Sequence, residues 1–265
     1  MQSDVPSSRL PLLVFSDIDG TLLDHRTYEL EAARPALAHL RKVGAGVVLA
    51  SSKTAAEILS LRRDIGFSNM PAIVENGAGI VWGRSAQFND GDYQKIRRTL
   101  EEIGPEFNGF GDMSSGEVAA LTLLSVEAAR RAKRRQFSEP GVWRGSTEGL
   151  EAFLETLNEH GLKAIRGGRF LTVSFGRTKA DAMGEVVEKL RPKKTMALGD
   201  APNDVQMLES ADWAAIIANP SGPEIPPLAG ERSGMIIRTK ATGPAGWDEA
   251  MRILLPRAGE GLAFG

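Results

Sequence analysis

The chain has 265 residues, 42% of them hydrophobic and 25% charged, with a formal net charge of −2 and no cysteine. That size and mixture suit a soluble globular protein of one large or two modest domains. The near-neutral charge offers no field to recruit nucleic acid or an anionic membrane, and disulfides, thiolate metal sites and cysteine nucleophiles are excluded.

Met1–Arg9 reads as a frayed lead-in, polar and without a signal-like stretch. No apolar run approaches a membrane span, so a cytoplasmic protein with neither membrane nor nucleic-acid partners is expected. Leu12–Ser16 is a short apolar run of strand length, followed by Asp17-Ile18-Asp19-Gly20-Thr21. Leu30, Ala33, Leu37 and Leu40 recur at helical spacing, and Pro35 fits that helix only if it starts near Glu31. Gly46–Ala50 reads as a second buried strand, followed by Ser51-Ser52-Lys53-Thr54 and a helical face of Ile58, Leu61 and Ile65. Ala72–Glu75 is a third strand, stopped by Asn76-Gly77. This βαβαβ order predicts a parallel sheet with right-handed crossovers.

Beyond about Trp82 the rhythm changes. Residues 84–174 read as an inserted α+β module, mostly helical up to Arg166: helices over Tyr93–Ile103, Ser114–Leu121, Ser125–Arg135 and Thr147–His160, and extended stretches at Phe137–Arg144 and Phe170–Phe175. Residues 1–83 and 175–265 make up the α/β core. In its second half, Met183, Val186, Val187 and Leu190 mark a helix and Thr195–Gly199 a strand leading into Gly199-Asp200-Ala201-Pro202-Asn203-Asp204. Trp213–Ala218 and Met235–Arg238 are further strands, Trp247–Leu255 is a closing helix, and the tail after Pro256 reads as frayed.

Ligands of open α/β sheets bind at the carboxyl ends of strands. If the strands before Asp17 and Asp200 are neighbours, Asp17, Asp19, Asp200 and Asp204 converge there. Four carboxylates repel one another unless a cation sits among them, and oxygen-only ligands favour Mg²⁺. One carboxylate would then be free to attack phosphorus. A single aspartate after a strand is commonly a turn residue. Here, however, Asp-x-Asp puts two carboxylates on one side of an extended chain, and Gly20 exposes backbone N–H groups to an anion. Ser51-Ser52-Lys53-Thr54 offers hydroxyls and amides to phosphate oxygens, although simple N-capping accounts for it equally well. Lys179, at a helix start, is placed to neutralise a phosphoryl group.

These four segments resemble motifs I to IV of the haloacid dehalogenase-like superfamily of phosphatases, and the insert resembles the type-2 cap of its Cof-like branch. Shorter strings are similar to those of the mannosyl-3-phosphoglycerate phosphatases: Ser51-Ser52-Lys53-Thr54 with Glu57, Val74-Glu75-Asn76-Gly77, Arg135-Gln136-Phe137-Ser138-Glu139-Pro140 and Gly167-Gly168-Arg169-Phe170. The resemblance implies a Rossmann-like core with an α+β cap. It implies Asp17 as nucleophile, Asp19 as general acid and base, and Ser51 and Lys179 on the phosphoryl oxygens. Mg²⁺ would lie on Asp17, the Asp19 carbonyl and Asp200, supported by Asp204 and Asn203. Gly20, Ser52, Lys53, Asn76, Asn203 and Arg169 are the candidate substrate contacts; Arg169 is preferred among the cap's basic residues because glycines precede it. Ser51 stands where the family usually has threonine, and Asn219–Pro223 departs from the family's pattern; both leave the sugar open. The expected substrate is a small sugar phosphate, mannosyl- or glucosyl-3-phosphoglycerate first, giving a glycosylglycerate that serves as a compatible solute. Another sugar phosphatase (of sucrose phosphate, for example), a phosphohexomutase on the same core and a silent Mg²⁺ or phosphate sensor are the alternatives.

Overall fold

The structure, a computed structural model, describes residues 9–83, 91–167 and 169–264. The expected lead-in up to Ser8, the first residues of the expected insert and Gly168 lie outside these.

In chain order the first strands are β1 (Leu13–Ser16), β2 (Gly46–Ala50), β3 (Ala72–Val74) and β4 (Gly79–Val81). They are joined by α1 (Arg34–Lys42) and α2 (Ala55–Asp64). A 3₁₀ turn at Glu31–Ala33 leads into α1 and leaves Pro35 in its first turn, where the missing N–H costs nothing. Next come α3 (Gly91–Ile103), β5 (Phe107–Gly109), α4 (Ser115–Thr122), α5 (Val126–Ala132), β6 (Ser138–Trp143), α6 (Thr147–Glu159), β7 (Lys163–Gly167) and β8 (Phe170–Ser174). The chain closes with α7 (Lys179–Leu190), β9 (Thr195–Gly199), α8 (Val205–Ser210), β10 (Trp213–Ala218), α9 (Ala229–Arg232), β11 (Ile236–Thr242) and α10 (Gly243–Ala258).

Seven strands form one sheet in the order β11-β10-β9-β1-β2-β3-β4. All neighbours are parallel except β3 and β4. β1, β2 and β9 are buried along their whole length, which is why they read as continuous apolar runs rather than alternating ones. The chain winds outward one way through β2 and β3 and the other way through β9, β10 and β11. The reversal flanks β1, so its carboxyl end opens a crevice. β4 was not anticipated: Glu75, Asn76 and Gly77 take φ values of 53°, 59° and 94°, and this left-handed turn sends the chain back antiparallel.

The second sheet, β5-β6-β8-β7, is wholly antiparallel. Its own apolar cluster of Ile96, Leu100, Phe107, Phe153, Leu157, Leu171 and Val173 packs it against α3 and α6. The sequence reading made this region too helical. β5 has three residues and β7 is exposed along most of its length, so neither carries an apolar rhythm.

The expected fraying after Pro256 is corrected. α10 continues to Ala258, Leu262 is buried, and Phe264 stacks on His39 at 4.3 Å between ring centres. Among the described residues no helix is long and apolar enough to cross a membrane.

Candidate active site

Asp17 follows directly on β1, and its N–H donates to the Leu198 carbonyl of β9 at 2.9 Å. Trp247 of α10, fully buried, donates from Nε1 to Ser16 Oγ at 3.0 Å, and Ser16 Oγ donates to the Asp17 carbonyl at 2.7 Å. The strand end is thus held from behind. Gly20 has φ +83°, and a Cβ there would lie 2.6 Å from Asp200 Oδ2. No other residue type fits so close an approach without displacing Asp200.

α2 is capped by Thr54, whose N–H and hydroxyl both donate to Glu57 Oε2 at 2.8 Å. Capping by Thr54 leaves Ser51, at the end of β2 and 1% exposed, free of that task. Lys179 is the first residue of α7, behind the N-cap Thr178.

These loops meet around one buried ammonium. Lys179 Nζ donates to Asp17 Oδ1 at 2.6 Å and to Asp204 Oδ1 at 2.7 Å. One carboxylate oxygen from each of Asp17, Asp200 and Asp204 lies within 4.8 Å of the others. Asp204 Oδ2 accepts from the N–H groups of Asp200 at 3.2 Å and Ala201 at 3.1 Å. Both Asp204 oxygens are therefore engaged, which suits it to holding the loop and Lys179. Asp200 accepts from Thr21 Oγ1 at 2.6 Å and from Asn219 Nδ2 at 2.7 Å.

Burial pushes the Asp17 carboxyl up to about 8 against the pull of Lys179, with Asp204 and Asp200 adding to the rise. Asp200 is raised as well, mainly by burial. Burial works to lower Lys179, but Asp17 and Asp204 overcome it and hold the ammonium above the usual lysine value. Three carboxylates with one ammonium among them remain short of positive charge. A hard divalent ion fits this donor set.

Asp19 faces another cation: Lys53 Nζ lies 2.9 Å from its Oδ2, and its Oδ1 is buried without a hydrogen-bond partner. Lys53 also sits 5.5 Å from the Tyr28 ring centre. Asn203 Nδ2 donates to Asn76 Oδ1 at 3.2 Å, which joins two of the candidate substrate contacts at the sheet edge. Ser52 is exposed, and its carbonyl accepts from Arg135 at 3.2 Å.

Arg169 is not drawn into this group. It is exposed at the β7–β8 turn, with its guanidinium 5.8 Å from the Phe170 ring. On the basic helix α5, Arg130 pairs with Glu127 and Arg131 is exposed, as is Arg134 past the helix end. Just beyond it Lys133 donates to the Met113 carbonyl. Arg135, after α5, reaches the core with its side chain, and Arg131 does so through its carbonyl, which accepts from Thr54 Oγ1 at 3.0 Å. Trp143 packs at 4.9 Å on Phe153 as part of the second sheet's core.

Sequence reasoning missed Asn219 and Glu75 as site residues and did not place Arg135. Asn219 follows β10 at the same carboxyl edge that singled out Asp17 and Asp200, so the strand-end rule would have found it. Glu75, directly after β3, falls under the same rule; Arg135 offers no such signal, because it meets Glu75 from a distant stretch. A cavity of about 380 Å³, lined by Trp82, Phe137, Phe175 and Arg177 among others, includes none of Asp17, Asp19, Asp200 and Asp204.

A family model for haloacid dehalogenase-like hydrolases matches residues 14–104 and 150–223. Solved structures with a similar fold include BT1666 from Bacteroides thetaiotaomicron, studied among phosphatases of the haloalkanoate enzyme superfamily. It is 20% identical over 93% of this chain and 96% of that one, with a TM-score of 0.64. The sucrose-phosphatase of Synechocystis sp. PCC6803, solved with sucrose and phosphate, is 16% identical over 91% and 97%, with a TM-score of 0.61. The subclass IIB sugar phosphatase BT4131 is 18% identical over 91% and 97%, with a TM-score of 0.58. At these identities the likeness is one of fold.

Proposed function

We propose that this chain, which belongs to the haloacid dehalogenase-like hydrolase family, is a Mg²⁺-dependent phosphatase acting through a covalent phosphate on Asp17. Its substrate is mannosyl-3-phosphoglycerate or glucosyl-3-phosphoglycerate, and its product the glycosylglycerate, a compatible solute made in the cytoplasm. The observation that carries the chemistry is the buried Lys179 bridging Asp17 and Asp204, with Asp200 alongside.

Asp17 attacks phosphorus and forms a P–O bond as the ester P–O bond breaks, while Asp19 gives its proton to the leaving glycerate oxygen. Asp19 then takes a proton from water. The water oxygen attacks the same phosphorus, and the bond to Asp17 breaks to release phosphate. Lys179, Ser51 and the Gly20 turn bind the phosphoryl oxygens, whose charge such donors stabilise most in the transition state. Asp17, the Asp19 carbonyl and Asp200 would hold Mg²⁺, with Asp204 behind them. When bound, the ion supplies the positive charge that keeps Asp17 ionised and offsets charge on the phosphoryl group. The unpartnered Asp19 Oδ1 is a place for the leaving oxygen to hydrogen-bond. Residues 84–174 act as the cap that carries substrate specificity, with Lys53, Asn76, Asn203 and Arg169 on the sugar or glycerate. Closure of the cap would exclude water during phosphoryl transfer, and opening would admit it for hydrolysis.

A phosphate-release screen over a sugar-phosphate panel, with and without Mg²⁺, tests this. Release from the glycosyl-3-phosphoglycerates at a kcat/KM about tenfold or more above hexose phosphates is expected. Preference for sucrose phosphate would move the assignment to a sucrose-phosphatase-type enzyme, a reading favoured by the likeness to the Synechocystis fold. Silence across the panel would end the phosphatase reading.

Two further results are expected. Mg²⁺ should raise Tm by mass action on the folded state, and Asp200→Asn should remove most of that rise; an undiminished rise would place the ion elsewhere. Arg169→Ala should raise KM for a phosphoglycerate ester about tenfold and leave p-nitrophenyl phosphate almost unchanged. Equal effects on both would take Arg169 out of substrate recognition.

A further inference from the structure

Glu75 is a buried acid that lies outside this chemistry. Glu75 follows β3 in the core, and its side chain is fully buried. Its Oε1 accepts from the Gln136 N–H at 2.9 Å. Its Oε2 accepts from the Phe137 N–H at 3.1 Å and from Ser138 Oγ at 2.8 Å. Arg135 Nε lies 3.5 Å from Oε2, and its terminal nitrogens donate to Ser52 O at 3.2 Å and Ser138 Oγ at 3.0 Å. Ser138 opens β6, which lies inside the second sheet between β5 and β8.

The same short turn braces the catalytic loops on its other side. The N–H of Glu75 donates to Lys53 O at 3.0 Å, and that of Asn76 to Ser51 O at 2.9 Å. Asn76 Oδ1 accepts from Asn203. A Cβ on Gly77 would lie 2.1 Å from the Thr178 carbonyl oxygen, so the turn sits directly on the backbone that leads into Lys179. Two successive non-glycine residues at positive φ make this possible. Backbone strain of that kind persists only where the surroundings fix it.

We propose that Glu75 is a positioning residue that pins an inner strand of the cap sheet to the loops carrying Ser51, Lys53, Asn203 and Lys179. With the cap closed, substrate groups held by it and the phosphorus held by the core then share one register. Misplacement by an ångström is enough to slow a reaction a hundredfold. The donors Glu75 satisfies are two backbone N–H groups and a hydroxyl at the buried start of β6, and none has an obvious substitute if the oxygens are withdrawn. Ser138 is in register with Ser174 at the end of β8, so the pin sits where the chain returns from the second sheet to the core. This inference rests on residues 84–174 being a cap over the site.

The test is a distance measurement between spin labels on the two modules. The chain has no cysteine, so Lys42→Cys and Leu123→Cys, at exposed core and cap positions, give a clean labelled pair. Glu75→Gln keeps the shape but turns an NH₂ toward the N–H and O–H donors. The labelled variant should show a broadened or shifted distance distribution relative to the labelled parent. Without labels, it should lose about 30-fold in kcat/KM on the best sugar phosphate and less than about threefold on p-nitrophenyl phosphate. Ser138→Ala, which removes one donor, should move both readouts the same way by less. If Glu75→Gln does not fold, Ser138→Ala decides alone. An unchanged distance distribution in the folded variant overturns the proposal, and so does an equal loss on both substrates. The distance readout needs no substrate, so it separates failure of this inference from failure of the phosphatase assignment.

Discussion

Asp17→Asn should reduce phosphate release at least about a thousandfold while substrate still binds. An amide cannot form the phosphoryl bond, yet it keeps the size and one acceptor for Lys179 Nζ, which now lies 2.6 Å from Oδ1. The substitution should not destabilise the metal-free protein at pH 8. Folding holds the Asp17 carboxyl up to about 8 from the ordinary 3.8, first because burial penalises its charged form. Between those values the unfolded chain has lost its proton and the folded one retains it. Ionisation of Asp17 therefore subtracts stability as pH rises through that window, and a neutral side chain escapes the loss. Phosphate release and urea unfolding on the same preparation check both halves. Residual turnover above a thousandth of the parent rate would count against Asp17 as nucleophile.

Lys179→Met is expected to be as damaging to turnover and, unlike Asp17→Asn, to cost the fold as well. It leaves Asp17 and Asp204 buried without their shared cation, a loss of roughly 3–5 kcal/mol for a broken buried pair. Asp204 is fully buried and Asp17 8% exposed, so water cannot replace the ammonium. The sign of the pH dependence follows from Lys179 being held above 10.5. A cation with a raised folded-state value stabilises fully below its unfolded value and loses that contribution only as pH climbs through the folded one. At neutral pH the difference between parent and variant should thus be at its full size. Urea unfolding at pH 7 with chelator measures it, and a difference below about 1 kcal/mol would mean that the ammonium does not offset the burial of these acids.

Much of this centre was legible before any coordinates. Asp17 and Asp200 each close a continuous apolar run, with Asp204 four residues further on in the same loop, and the rule that ligands gather at strand ends brings them together. The paired register of Leu13 with Thr195 does so in fact. The α/β core was readable because its strands are buried on both faces and its helices on one. The cap was harder. β7 reads Lys163-Ala164-Ile165-Arg166-Gly167, exposed at four of its five positions, and a strand that buries almost nothing leaves no pattern to find. Arg169 drew attention through its glycines, but nothing local in sequence says whether a turn faces ligand or solvent. Arg135, at the end of a basic run, reaches Ser52 because the backbone beyond α5 turns toward Glu75. Such meetings belong to tertiary packing, and one-dimensional periodicity does not encode them.

The placement of β1 also governs how the chain can be made. It lies at the centre of the sheet, yet its partner on one side, β9, begins only at Thr195. A nascent chain still short of that residue holds β1 with one flank bare, paired to β2 alone, while the whole second sheet has already been synthesised. An unpaired buried strand is a template for the wrong neighbour. Early independent folding of the insert would shorten the effective gap and hasten closure. Aggregation during expression should therefore fall most heavily on variants that weaken the insert, however far they lie from phosphorus.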